Sequence, residues 1–149
     1  AALSNLQAAL ALRKQLAVVA RGKLPDFLET QFDIMSVHES IGKHHVDQQH
    51  HDLALAGFDA GLQLAITNLQ NPDAPLSAGD QKRLLEQQAS FHRQLGSTYL
   101  KNHNPSASLA QYLMAQEAYG RMKRDELTAP YFWNQPDVLT SRTGVFPKQ

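Results

Sequence analysis

The chain has 149 residues, enough for one domain or for one domain with a tail. Apolar residues make up 42% of it, sufficient for one core. The 14 basic residues balance the 14 acidic ones, so charge makes no case for nucleic acid or an anionic membrane as partner. Cysteine is absent, which excludes disulfides, thiolate metal sites and a cysteine nucleophile. No apolar run approaches the roughly 18 residues of a membrane span. The sequence opens at Ala1 rather than at a methionine. That is expected where an upstream segment has been removed, a cleaved secretory signal being one source and trimming of the chain another.

Helical periodicity begins at once. Leu3, Leu6, Leu10 and Leu16 with Ala17 form a stripe that predicts a helix from about Ser4 to Arg21, ended by Gly22. Pro25 restarts the chain at a first-turn position, with Asp26 and Glu29 favouring a helix start. Leu28, Phe32 and Met35 carry the second apolar face. It fades near Ile41 and Gly42 into a polar, histidine-rich stretch from Lys43 to Asp52. A third, clearly amphipathic helix follows on Leu55, Phe58, Leu62, Ala65 and Leu69, and Asn71-Pro72-Asp73-Ala74-Pro75 breaks it. Ser77 with Asp80 resembles a capping box that opens a fourth helix through Leu84, Leu85, Phe91, Leu95 and Tyr99 to about Lys101. Asn102-His103-Asn104-Pro105 breaks or kinks it. Ser106 or Ser108 is placed to cap a last helix through Leu109, Tyr112, Leu113 and Met122 to about Leu127. From Pro130 onward the pattern stops.

These elements predict an all-α fold of four or five helices over residues 1–129, bundle-like or intertwined, and an extended tail or linker over 130–149. No repeat with a period of 20–50 residues stands out.

The stretch from Ile41-Gly42-Lys43 through Gln49, Asp52, Phe58, Gly61, Leu62, Gln63 and Ala65 resembles the N-terminal domain of the Mip-type FKBP prolyl isomerases. Leu76-Ser77 with Leu84 and Leu85 fits the opening of that family's long helix. Val138-Leu139-Thr140-Ser141 and Gly144-Val145 are loosely similar to its linker. The resemblance implies a helical dimerisation and chaperone arm of a bacterial envelope or periplasmic protein, with a second copy and unfolded client proteins as partners. It also implies one very long helix, which Asn104-Pro105 would interrupt. It implies no catalysis in this chain, because the isomerase residues of that family belong to a separate β-rich domain.

Two sets of residues are candidates for a site. Leu55, Phe58, Leu62, Ala65 and Leu69 are expected to bury against a neighbouring helix or a second chain, each buried Leu or Phe contributing ~1.5–3 kcal/mol. The alternative function is metal or small-ligand sensing by the His-rich segment 38–51. There His38, His44, His45, His50 and His51 stand with Glu39 and Asp47, residue types that suit zinc, copper or nickel. On a continuous helix His44, Asp47 and His51 share a face and would form the divalent-metal site. The HExxH motif, nucleophile elbow, phosphate loop and dinucleotide fingerprint are all missing. Tyr131-Phe132-Trp133 is a run of aromatics outside any predicted helix, suited either to docking back on the helices or to anchoring a partner.

Overall fold

The computed structural model describes residues 2–20, 26–70 and 76–128, and these are almost wholly helical. Five helices follow one another: α1 (Ala2–Ala20), α2 (Asp26–Asp47), α3 (His51–Gln70), α4 (Ala78–Lys101) and α5 (Pro105–Thr128). This is the all-α architecture that the apolar periodicity predicts. Gly22, Pro25, the break at 71–75 and the predicted tail over 130–149 lie outside the described residues.

Local chemistry accounts for the starts of α4 and α5. Ser77 caps α4, its Oγ accepting the Asp80 backbone N–H at 3.0 Å, with the Asp80 carboxylate in the positive first turn. The cap of α5 differs from the expected Ser106 or Ser108. Pro105 takes the first helical position, so the cap falls to the residue before it, and Asn104 Oδ1 accepts the Ala107 N–H at 3.2 Å. Ser108 instead donates its hydroxyl to the Gly96 carbonyl of α4 at 2.7 Å. Helix α2 runs on past Ile41 and Gly42 to Asp47. Gly42 interrupts the apolar pattern without interrupting the helix, because it is where α3 crosses: a Cβ there would stand 2.5 Å from the Phe58 ring.

Each helix packs chiefly on its neighbours in the chain, α1 on α2, α2 on α3, α3 on α4 and α4 on α5, with only light contact between α2 and α4. The result is an open array with α1 and α5 at its ends. Its core lies where α2, α3 and α4 meet, on Leu28, Phe32, Met35, Phe58, Leu62, Leu84, Phe91 and Leu95. One buried polar pair crosses it: Asn68 Nδ2 donates to Gln31 Oε1 at 3.2 Å and to the Leu64 carbonyl at 2.8 Å. At the rim Arg83 lies 3.9 Å over the Phe32 ring and 2.6 Å from Glu29, an exposed pair of modest worth. No helix among the described residues is long and apolar enough to cross a membrane.

Candidate functional site

The α2–α3 pair and the α4–α5 pair are the same hairpin built twice. Gln49 and His103 both take the left-handed backbone, with φ 60 and 57. The turn hydrogen bonds repeat one for one. Gln48 donates to His44 and Asn102 to Thr98, at 3.1 and 3.0 Å. Gln49 donates to Val46 and His103 to Leu100, at 2.9 and 3.1 Å. His50 donates to His45 and Asn104 to Tyr99, at 2.8 and 2.9 Å. Ala54 donates to His50 and Ser108 to Asn104, at 3.0 and 3.1 Å. Every pair is offset by 54 positions. The side chains follow: buried His38 matches buried His92, Ile41-Gly42 matches Leu95-Gly96, and Phe58 over Gly42 matches Tyr112 over Gly96. The duplication escapes a search for periods of 20–50 residues because its period is longer. The signal that carries it is an aliphatic-Gly pair followed by Ala or Ser 12 positions after the glycine and an aromatic 16 after it.

The histidine segment does not converge on a point. The chain leaves α2 at Asp47, turns through Gln48–His50 and re-enters helix at His51, so His44, Asp47 and His51 share no continuous helical face. No group of three or more His, Cys, Asp or Glu among the described residues is arranged to hold a metal ion. The imidazoles instead pack on one another, His44 to His45 at 5.7 Å and His45 to His50 at 6.0 Å between ring centroids. Burial holds His45 below the ordinary histidine value, with the His44 and His50 charges acting the same way. Burial, and then the Lys14 charge, do the same to His38. Nδ1 of His45 and of His51 is buried without a hydrogen-bond partner.

The central stripe is internal. Phe58, Leu62 and Ala65 are at most 4% exposed, and Leu55 and Leu69 pack at the margin of the same core. The neighbouring helices of the chain itself take up this face, so a seam with a second chain would have to use other residues. The described surface offers several, among them a shallow groove of about 350 Å³ at the α2–α3 turn lined by His50, His51, Leu53 and Asn102. A groove of about 230 Å³ lies between α2 and α4, lined in part by Lys43, Asp47, Ser97 and Lys101. That is below the roughly 300–1,000 Å³ of small-molecule pockets. The far side of α5 shows Leu109, Leu113 and Tyr112 at 60, 55 and 40% exposure. The far side of α1 shows Leu12, Leu16 and Val19 at 61, 58 and 74%.

Comparison with known proteins found no matching family, no matching curated relative and no matching solved structure. The likeness to the Mip-type arm therefore stands on the residues quoted for it. In this fold the chain turns back at Asn102–Asn104, where that family's long helix would run on.

Proposed function

We propose that this chain is a non-catalytic helical scaffold that associates with a second copy of itself through α1. The observation that carries the reading is the second apolar face of that helix. Ala17 is buried, and α1 packs on α2. Leu12, Leu16 and Val19, spaced four and three apart, form a separate line that points away. A helix apolar on two sides is ordinarily covered on both. The tandem construction supports a role in protein contact, since stacked helical hairpins present extended surfaces rather than enclosed pockets. The spacing Leu95-Gly96 with Tyr99, then Ser108 and Tyr112, resembles the tetratricopeptide pattern, and Ile41-Gly42 with Ala54 and Phe58 repeats it. The likeness to the Mip-type arm points the same way, towards self-association without catalysis.

Sedimentation of the full chain at micromolar concentration tests this. A dimer is expected, and Leu12→Glu with Leu16→Glu should give a monomer of unchanged helicity. A wild-type chain that stays monomeric at every concentration would sink the proposal.

A further inference from the structure

Helix α1 joins the array by a seam of its own. Ile34, Val37 and Ile41 are buried but lie outside the core that α2 shares with α3 and α4. The other helix packed on α2 is α1, which brings the stripe Leu3, Leu6, Leu10, Arg13 and Ala17. Among the described residues of α1, Ala17 alone is fully buried, so the seam is apolar but thin. His38 stands in it, four residues after Ile34 and three before Ile41, and is only 9% exposed.

We propose that this seam is an acid-released latch: a proton on His38 frees α1 from α2 and leaves the other four helices packed. The surroundings of His38 offer that positive charge no partner. On α1 the neighbours are cations. The Lys14 ammonium bears on the imidazole, which burial first and Lys14 second hold below the ordinary histidine value. Arg13 lies along the same stripe, its Nη1 3.3 Å from Asp33 and its Nε buried without a hydrogen-bond partner. On α2 the flanking carboxylates are taken. Asp33 is held by Arg13, and Glu39 by Lys43 at 3.4 Å and by the Gln94 amide at 2.6 Å. On α3, Asp52 and Asp59 are exposed to solvent. On α4, which touches α2 lightly, Arg83 is bound to Glu29, Arg93 to Tyr119 and His92 to Gln111. A buried charge without a partner costs free energy that is relieved when the covering helix leaves and water enters. The second hairpin lacks the device. His92, the counterpart of His38, is also buried, but its Nδ1 lies 2.7 Å from Gln111 Oε1 on α5. An imidazolium donates from both nitrogens, so His92 keeps an acceptor when charged. Gly57 stands where the matching amide would be in the first hairpin.

Hydrogen exchange of the full chain tests the latch, each amide's rate being corrected for the intrinsic effect of pH. His38 holds a proton less tightly under α1 than away from it, so acid favours the open form. Between about pH 7.5 and about pH 5.5, across the ordinary histidine value, protection of α1 should fall several-fold more than that of α3, α4 and α5. His38→Gln should remove this extra fall, and His92→Gln should leave it as it is. Lys14→Glu, at an exposed position that does not threaten the fold, turns repulsion into attraction and should shrink the fall, which a purely structural seam would not do. The same measurements on Leu12→Glu with Leu16→Glu, where no second copy covers α1, keep the latch separate from self-association. Protection of α1 that tracks the other helices at both pH values would overturn the proposal. So would an extra fall that survives His38→Gln, ignores Lys14→Glu or is removed by His92→Gln. An extra fall present in the wild type but absent from the Leu12→Glu, Leu16→Glu chain would belong to the dimer and overturn the latch alone.

Discussion

The two glycine crossings show how one contact can carry different weight in two places. At Gly42 an added Cβ would stand 2.5 Å from the ring of Phe58, which is 2% exposed and has nowhere to move. At Gly96 it would stand 3.0 Å from Tyr112, whose ring is 40% exposed and can swing outward. Replacing glycine by alanine within a helix otherwise gains about 1 kcal/mol. Gly42→Ala should therefore lose about 1–3 kcal/mol through overpacking, and Gly96→Ala should stay within about 0.5 kcal/mol of wild type. Urea midpoints at constant slope measure both, and equal losses would contradict the difference in ring freedom. The buried imidazoles give a second expectation. His38 and His45 are held below the ordinary value of 6.5, chiefly by burial, so the unfolded chain takes up their protons first. Their stabilising effect is whole above pH 6.5 and is lost as pH falls below it, levelling off once the folded-state values are passed. The melting temperature should fall on acidification over that window, and His45→Gln should make the fall shallower.

The helices were legible wherever local chemistry decides. Ser77 with Asp80, the break before it, and the stop at Asn102–Pro105 locate α4 and α5 from sequence alone. What local chemistry does not decide is not legible in the spacing. Gly42 looks like a fading helix but marks a crossing, and Ser108 looks like a cap but bonds across to α4. Both roles belong to a neighbouring helix that sequence spacing cannot place. The histidine segment follows the same logic, since His44, Asp47 and His51 share a continuous helical face only if no turn lies between them. The turns themselves carry a prediction. Gln49 and His103 hold a left-handed backbone that costs a side chain roughly 1–2 kcal/mol relative to glycine, less what glycine's freer unfolded chain takes back. Gln49→Gly and His103→Gly should each raise stability by about 0.5–1 kcal/mol, and by similar amounts because the turns are built alike. A gain at one turn and a loss at the other, read from thermal or urea unfolding, would mean that the two hairpins are less equivalent than their hydrogen bonds suggest.

At the scale of the molecule, what matters is that contacts run almost entirely between neighbours in the chain. Stability in such an array is close to a sum of local terms, and local opening should vary along it. Helix α3 is held on both sides and carries Phe58, Leu62 and Ala65 in the core, so its amides should be the slowest to exchange. Helix α1 packs chiefly on α2 and leaves Leu12, Leu16, Val18 and Val19 open, so its amides should be the fastest among the helices. Self-association through α1 adds a condition that the core helices do not share. Binding to the folded state stabilises by mass action, so protection of α1 should rise with protein concentration while that of α3 stays fixed. Hydrogen exchange at two concentrations reads both expectations in one experiment. Protection that is uniform along the chain would remove the open-array account of stability. Protection of α1 that ignores concentration would leave that account standing and remove the dimer, because a face covered by a second copy must open less often when more copies are present.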